Sequence, residues 1–577
     1  MSVIREPFWL EVKQSDQLFC WLHYPEKRLK KTAIIIIGAI GPEYSHCFRT
    51  IRLMADELAE SGFATLRYDP AGMGNSTGTL EDTGIWDMWL STPYRLTLLL
   101  KSLGFDHVAL IGFRSGSLIL GEHIKQNPVD TAMFFYPYLQ GRAYYRDMQV
   151  LDLGLNLERD SDAAIEGGGY PISEEVKTAL AEINLASQPF DQLNNALVVG
   201  DGGNAVTSKF ARHLDHDGVT VETHAIDGLV AMTRPAALSV APALALHTLC
   251  NWMLKIDTLA EFHADFAPKL YEPLRTETCT EAVFQLVNGR SIFGILTSPL
   301  NGPASTIVLL VNAGSGHHVG PNRLHVDLAR ALAEDGVASL RMDLSNLGDS
   351  VNVYNRESYH PYPPNAADDI GGVLNYLEQE FEYKNIVLCG LCSGAHNVFH
   401  AALKGGYAHL SKVILINPLT FYWTPGQSIL APEENQSEID EAYYQGQAYD
   451  YRKWLALVVN PAKVINILKF IMRFIQRKLS RLLSLLSEWL GFASSDRMNR
   501  DLLQLLEAGI HISLITSEGD PGEKIMLANA SRAVGKFKRR GALVCSKIAG
   551  ADHTFSSRAS RIRLVNELVR EMTKKEG

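Results

Sequence analysis

A cysteine in the second half of the chain stands between two glycines, directly after a short apolar segment. Segment 386–389 has the composition of a buried β-strand and leads into Gly390-Leu-Cys392-Ser393-Gly394, which fits the Gly-x-Nuc-x-Gly pattern of a nucleophile elbow. The glycines leave room where the strand turns sharply into a helix, and the N-terminus of that helix favours a thiolate. We therefore predict that Cys392 is a nucleophile and that Gly390 and Gly394 are the elbow glycines.

The chain repeats itself at an offset of roughly 274 residues. Segment 33–76 aligns with segment 307–350 without a gap, and ADELAESGFATLRYD matches ARALAEDGVASLRMD within it. We interpret the chain as a tandem duplication with domains 1–270 and 271–577. The boundary is expected in the polar, proline-containing stretch FAPKLYEPLRTETCTEA.

Each half begins with two alternating segments typical of a β-hairpin, followed by a short, continuously apolar run. Runs 34–37 and 307–311 are typical of central parallel strands that are buried on both faces. Helical patterns alternate with further runs of this kind. The fold class predicted for each half is therefore α/β: a mostly parallel sheet with helices on both faces and a cap insertion, about 140–189 in the first half and 424–501 in the second.

The segments GPEYSHCFRTIRLMADELAESGFATLRYDPAGMGNSTG and VNAGSGHHVGPNRLHVDLARAL, with RMDLSNLGDS, carry a family resemblance. The sequence resembles the α/β-hydrolase superfamily over nearly the whole chain, once per half. Within it, the chain is similar to peptidase-S33-like hydrolases, including those found with exosortase and exopolysaccharide systems. A cysteine at the elbow is also what dienelactone hydrolases carry.

The resemblance implies a catalytic triad of Cys392, His553 and Asp520. Asp520 follows the strand-like segment HISLITSEGD, and His553 lies in the loop after the last strand, in the superfamily order of nucleophile, acid and base. Glu518 and Asp552 are rival acids. In such a triad the histidine takes the thiol proton and the aspartate orients the imidazole.

The resemblance also implies an oxyanion hole built from the backbone N–H of Ser393 and one N–H of the loop that contains Ala313 and Gly314. We interpret His317 and His318, in the same loop, as pocket lining, and we expect neither a metal nor a cofactor. Cys389 and Cys392 also form a Cys-x-x-Cys pair, which in another context indicates a redox site or half a zinc site. The sequence holds no second pair and Cys389 falls inside a predicted buried strand, so both interpretations are disfavoured here.

The first half has lost two of the three residues. Arg114 occupies the elbow position, Asp201 keeps the acid position, and Ala231 stands where the base is expected. We therefore interpret the first half as a degenerate, pseudo-enzyme domain. Arg114 could pair with Asp201 across the vacated site or bind an anionic group, and the half could also supply an interface or a lid.

One alternative keeps the first half active through a slip of one residue at its elbow. Ser115 would then be the nucleophile, with His123 or His224 as its base.

Composition excludes several classes of function. Lys and Arg number 54 against 64 Asp and Glu, which gives a net charge of −10, so we expect no nucleic-acid partner. The seven cysteines are odd in number and sparse, which favours reduced thiols in the cytoplasm. The beginning of the chain resembles no signal peptide, and no apolar run reaches the length of a membrane span.

A basic amphipathic helix is predicted at about 462–490, inside the second insertion. It suits a lid over the cleft, and it also suits peripheral contact with the anionic inner face of a membrane.

The predicted function is that of a hydrolase or acyltransferase acting on an ester or thioester. The resemblance to exopolysaccharide-associated hydrolases implies a role in polysaccharide or lipid modification. The competing hypothesis is a non-catalytic binding scaffold at the membrane surface. The residues assign neither the acceptor nor the oligomeric state.

Overall fold

The computed structural model describes residues 2–573 except 14–15, 156–164, 203–204, 263–265, 267, 269–272, 288–290, 351–358 and 425–496. Within the described residues, the strands form two large sheets and one separate hairpin. One large sheet is built from residues 3–225 and the other from residues 274–548. Both are mostly parallel and carry helices, which confirms the predicted α/β class.

The first sheet contains β1 (Val3–Lys13), β2 (Asp16–Pro25), β3 (Thr32–Ile37), β4 (Ala64–Tyr68), β5 (His107–Phe113), β6 (Val129–Phe135), β9 (Leu193–Gly200) and β10 (Thr220–Ala225). Their spatial order is β1-β2-β4-β3-β5-β6-β9-β10. The first two strands form an antiparallel hairpin that pairs with β4, and the other neighbours are parallel.

The elements around this sheet are α1 (Pro42–His46), α2 (Phe48–Glu60), α3 (Ile85–Ser102), α4 (Gly116–Gln126), α5 (Gly141–Leu155), α6 (Glu174–Glu182), α7 (Ala205–His216), α8 (Ala243–Ile256) and a hairpin of β7 (Ile165–Gly167) and β8 (Tyr170–Ile172). The first predicted insertion holds α5, this hairpin and α6.

The second sheet contains β11 (Leu274–Arg275), β12 (Cys279–Val287), β13 (Ser291–Pro299), β14 (Thr306–Val311), β15 (Ala338–Met342), β16 (Asn385–Leu391), β17 (Leu410–Ile416), β18 (His511–Ser517) and β19 (Leu543–Ile548). From β12 onward it repeats the strand order of the first sheet. Its described helices are α9 (Leu324–Glu334), α10 (Ala366–Glu380), α11 (Ser393–Lys404), α12 (Arg497–Glu507), α13 (Gly522–Arg539) and α14 (Arg558–Thr573).

The central strands explain why helices cover both faces. Ile35 and Ile37 of β3 pack on one side of the sheet with α3 and α4, whereas Ile34 and Ile36 pack on the other with α2 and α8. All four side chains are buried, as expected for a continuously apolar parallel strand. The corresponding β14 is covered by α10 on one face and by α9 and α14 on the other.

The two halves also share an apolar contact of their own. It joins Trp9, Phe19 and Trp21 of the first hairpin to Leu274, Phe293 and Ile295 of the second half, and we call it the inter-half apolar cluster. The rings of Trp21 and Phe293 lie 4.9 Å apart.

Most of the second insertion, including the predicted basic helix at about 462–490, lies outside the described residues. Among the residues that are described, no helix has the length and apolar character needed to cross a membrane.

Candidate active site

The backbone turns sharply at Cys392, between β16 and α11. Cys392 adopts φ 57° and ψ −115°, in the left-handed half of conformational space that side chains other than glycine rarely enter. A Cβ atom on Gly390 would lie 2.2 Å from the backbone of Gly394, and one on Gly394 would lie 2.7 Å from the carbonyl oxygen of Asn312. Only glycine fits at either position, so this sequence motif forms a tight strand-to-helix turn.

His553 and Asp520 lie on neighbouring loops and are joined by a hydrogen bond of 2.8 Å between Nδ1 and Oδ2. The carboxylate is almost fully buried, and the imidazole is 32% exposed. Burial lowers the pKa of His553, but the hydrogen bond to Asp520 and the neighbouring Cys392 outweigh burial and raise this pKa to about 10. Cys392 neighbours the ring of His553. Its thiol does not form a hydrogen bond to Nε2, which has no partner among the described residues.

The two rival acids are engaged elsewhere. Glu518 accepts a hydrogen bond of 3.2 Å from the backbone N–H of Gly550, and Asp552 accepts bonds from the backbone N–H and the hydroxyl of Ser556. Both therefore brace the loop that carries His553, whereas Asp520 holds its ring.

The loop of residues 312–316, which we call the oxyanion loop after its predicted role, makes one contact that the prediction did not include. The N–H of Gly314, an expected oxyanion donor, donates instead to the hydroxyl of Ser393 at 2.9 Å. Because Ser393 begins α11, its own N–H has no acceptor within the helix. The N–H groups of Ser393 and Ala313 are therefore the candidate pair of donors.

Cys389 lies inside β16 and is buried, and burial raises the pKa of its thiol well above the ordinary value. All seven cysteines fall in the described part of the chain, and each of them is free there. A thiol enclosed in a central strand cannot exchange readily with an outside disulfide, so the geometry disfavours a Cys389–Cys392 redox pair.

An aromatic wall, which the sequence analysis missed, stands beside Cys392. Tyr362 and Trp423 stack with ring centroids 5.3 Å apart, and His396 meets the Tyr362 ring edge-on at 5.1 Å. Burial first, and the neighbouring Cys392 second, raise the pKa of Tyr362. The only signal in the sequence was the clustering of aromatic residues in HPYPP and FYWT.

In the first half, Arg114 occupies the equivalent turn. Its φ is 54°, close to that of Cys392. The guanidinium binds both oxygens of Glu43, with a shortest distance of 2.6 Å, and also donates to the carbonyl of Tyr136 at 3.0 Å. The rings of Tyr136 and Tyr138 lie 4.3 Å and 4.4 Å from it. The suggested pairing with Asp201 is therefore wrong, because Glu43 is nearer and occupies the fork of the guanidinium.

The other residues at the equivalent positions of the first half also have local contacts. Asp201 accepts a 2.9 Å hydrogen bond from the N–H of Gly228, and Ala231 lies in a short 3-10 helix, Leu229–Thr233. The Ser115 hydroxyl accepts the N–H of Ile40 at 2.9 Å, the bond that Ser393 makes in the second half.

The two histidines proposed for Ser115 contact other residues. The His123 ring lies 3.3 Å from the side-chain amide of Asn127, and the His224 ring lies 2.9 Å from Glu222. The slipped triad is therefore not assembled.

His317 and His318, predicted to line a pocket, are buried against side chains of the first half. His317 stacks on Phe48 of the first half at 4.0 Å, and burial lowers the pKa of His317 well below its usual range. His318 is fully buried between Asp343 and the side chain of Asn75. The two halves therefore meet at residues 317–318, which follow the oxyanion loop.

One group of side chains at this contact has the composition of a metal site. Ligand atoms of His318, Asp343 and Asp349 lie within 4.8 Å of one another. Protein groups already bind two of these side chains, however. The Arg67 guanidinium forms an ion pair with Asp349 at 2.5 Å, and the side-chain amide of Asn75 lies 3.0 Å from Nε2 of His318. The positive charge beside these carboxylates is that of a guanidinium.

No protein-family model matches the sequence, and no curated protein does. Solved structures similar to this chain include a dienelactone hydrolase from Anabaena variabilis, with 12% identity, 51% of this chain and 97% of the other covered, and a TM-score of 0.31. An alpha-beta serine hydrolase homologue from Coxiella burnetii shows 16% identity, the same coverage of both chains and a TM-score of 0.29. Est1E from Butyrivibrio proteoclasticus is 15% identical, with 51% of this chain and 97% of the other covered and a TM-score of 0.27. About half of this chain spans each of them.

Proposed function

We propose that the second half is a hydrolase or acyltransferase that acts on an ester or thioester through Cys392, His553 and Asp520. The observation that carries the proposal is the 2.8 Å hydrogen bond between His553 and the buried Asp520, next to a cysteine on a strained turn. A carboxylate on Nδ1 leaves Nε2 to exchange a proton with the reacting groups. The raised pKa of His553 favours an imidazolium that pairs with a thiolate.

In the proposed reaction, the Cys392 thiolate attacks the acyl carbonyl and forms a carbon–sulfur bond. The N–H groups of Ser393 and Ala313 receive the negative charge that develops on oxygen. The intermediate then collapses, the bond to the alcohol or thiol breaks, and His553 protonates that leaving group. Water or an acceptor next gives a proton to His553 and attacks the thioester, which releases the acyl group and the thiolate.

The aromatic wall of Tyr362 and Trp423 supports an apolar acyl or aryl group on the substrate. The sequence resemblance to exopolysaccharide-associated hydrolases adds acylated sugars and lipids as the classes to test.

The proposal is tested by alkylation and by trapping of the acyl group. At neutral pH, Cys392 should react with iodoacetamide at least about tenfold faster than the more exposed Cys545, because the imidazolium stabilises its thiolate. Brief incubation with p-nitrophenyl butyrate should add one butyryl group to the peptide that contains Cys392. Equal labelling of Cys392 and Cys545, with no acylated peptide, would contradict the proposal.

A further inference from the structure

The two halves exchange equivalent contacts where the loop after β4 meets the loop after β15. Arg67 of the first half donates to Asp349 of the second at 2.5 Å, and Arg341 of the second donates to Oδ1 of Asn75 in the first at 2.7 Å. In the sequence repeat, Arg67 aligns with Arg341 and Asn75 with Asp349. Each half therefore offers an arginine to the same position of the other.

The contact with Arg341 fixes the orientation of the Asn75 amide. Because Oδ1 accepts from the guanidinium, Nδ2 is the donor that faces Nε2 of His318 at 3.0 Å. His318 must then carry its proton on Nδ1, which donates to Asp343 at 2.7 Å. Asn75, His318 and Asp343 are all buried, so each of these polar groups depends on its partner.

Asp343 connects His318 to the oxyanion loop through Asn312. Its Oδ1 accepts the side-chain N–H of Asn312 at 2.7 Å, and the same amide bridges to the carbonyl of Gly316 at 2.9 Å. The Asn312 side-chain oxygen accepts the N–H of Leu344 at 2.7 Å. Asn312 thus holds both ends of the 312–316 loop in place.

The first half lacks the last link of this chain of hydrogen bonds. Tyr44 donates to Asp69 at 2.8 Å in the place of His318 and Asp343, but Gly38 stands where the second half has Asn312. A glycine has no side chain with which to hold the loop. The complete link exists only beside the intact candidate triad.

We propose that the first half positions the oxyanion loop of the second half, through Asn75, His318, Asp343 and Asn312. Asn75 is then a positioning residue that acts from one half on the other, and the inference rests on the proposed function. It gives the degenerate half a role in the chemistry of its partner half.

The test is Asn75→Ala in the full chain, assayed with p-nitrophenyl butyrate. Without its amide, the buried Nε2 of His318 loses its donor, and the loop loses its fixed position. We expect kcat to fall by about 10- to 100-fold, somewhat less than the loss of a direct oxyanion donor, with KM changed less than about threefold. The labelling rate of Cys392 should not change, because His553 and Asp520 are untouched.

Two further variants separate positioning from stability. Asn75→Asp keeps the acceptor for Arg341, as Asp349 does for Arg67, and removes the donor to His318. It also removes the 3.2 Å donation from Asn75 to the buried Asp69, so its melting temperature is measured beside its kcat, and at equal folded fraction it should show the same loss of kcat as Asn75→Ala. Trp9→Leu opens the inter-half apolar cluster and should lower the melting temperature without lowering kcat.

Retention of full kcat in both Asn75 variants, or an equal loss of kcat in Trp9→Leu, would overturn this inference and leave the proposed function standing. Failure of the unaltered protein to turn over the ester or to become acylated would overturn the proposed function, and this inference with it.

Discussion

The two elbows of the chain have nearly the same backbone and opposite surroundings. Cys392 and Arg114 adopt φ values of 57° and 54° at equivalent turns. Cys392 lies near a histidine whose Nε2 has no partner in the described structure, whereas the guanidinium of Arg114 is bound by Glu43 and a carbonyl and flanked by two tyrosine rings. The same strained turn therefore carries a cysteine in one half and an arginine in the other, and the side-chain partners distinguish the two sites.

The first site is filled by its own side chains. Glu43 occupies the sequence position that His317 holds in the second half, and its carboxylate neutralises a guanidinium that would otherwise be buried without a partner. Although burial lowers the pKa of Arg114, Glu43 more than restores it, so the arginine stays charged. An anionic ligand would have to displace Glu43, which disfavours the anion-binding interpretation of this half.

The largest difference between the elbows is expected from exchanging their residues. Cys392→Ala should lower kcat by roughly 10⁴-fold or more, because no other described thiol lies beside His553. Arg114→Cys should produce no activity in the Cys392→Ala background, since Ala231 supplies no base. Turnover of an aryl ester by both variants measures this, and recovery of activity through Arg114→Cys would contradict the assignment of a degenerate half.

The two aspartates at equivalent acid positions should differ nearly as strongly. Asp520→Asn removes the main partner that raises the pKa of His553, and kcat should fall by about 10³- to 10⁴-fold. Asp201→Asn is the matched control and should leave kcat unchanged, because among the described residues Asp201 accepts its hydrogen bonds from the backbone N–H groups of Gly202 and Gly228. Comparable losses in the two variants would mean that the first half takes part in the chemistry directly.

Asp520→Asn should also alter the pH dependence of the free energy of unfolding. The pKa of His553 is raised in the folded protein, so its contribution to stability is fully present below the unfolded value of about 6.5 and is lost as pH rises through about 10. Denaturant unfolding between pH 6 and 10 should show this loss in the unaltered protein and a smaller one in Asp520→Asn.

A smaller effect, on stability alone, is expected from the filled site. Glu43→Gln leaves the Arg114 guanidinium without its buried counter-charge and should lower the free energy of unfolding by about 3 kcal/mol. The kcat of the second half should not change. Adding Arg114→Met should recover much of the lost stability, and denaturant midpoints of the single and double variants provide the measurement. An unchanged midpoint in Glu43→Gln would show that the pair is not needed to fill this site.

Patterns local in the sequence predicted the sheets and the elbow correctly. The apolar runs at 34–37 and 307–311 are central strands, because alternate side chains must be buried on both faces of a covered sheet. The Gly-x-Cys-x-Gly spacing predicted the turn at Cys392 because only glycine tolerates the close backbone approaches there. The pairing of His553 with Asp520 was predicted from the family resemblance and not from a local pattern. Their catalytic roles stay predictions, as does the domain boundary.

The errors concern contacts between segments far apart in the chain. Glu43 lies 71 residues from Arg114, and no periodic pattern marks it as a partner. The sequence analysis missed the contacts of His317 and His318 with the first half, because Tyr44 and Asn75 lie 273 and 243 residues away from them in the chain. Such pairings depend on how the two sheets pack, which periodicity within either half does not report.

The smallest expected effect concerns a hydrogen bond that both halves share. Ser115 and Ser393 each accept the N–H of the facing loop at 2.9 Å, from Ile40 and Gly314. Replacing either serine by Ala leaves a buried or partly buried N–H unpaired and should lower the free energy of unfolding by about 1 kcal/mol. Only Ser393→Ala should also reduce kcat, by about three- to tenfold, because its loop carries the candidate oxyanion donor Ala313. Steady-state kinetics of the two variants at equal folded fraction compare the halves directly, and an equal reduction of kcat in Ser115→Ala would contradict the division of roles between them.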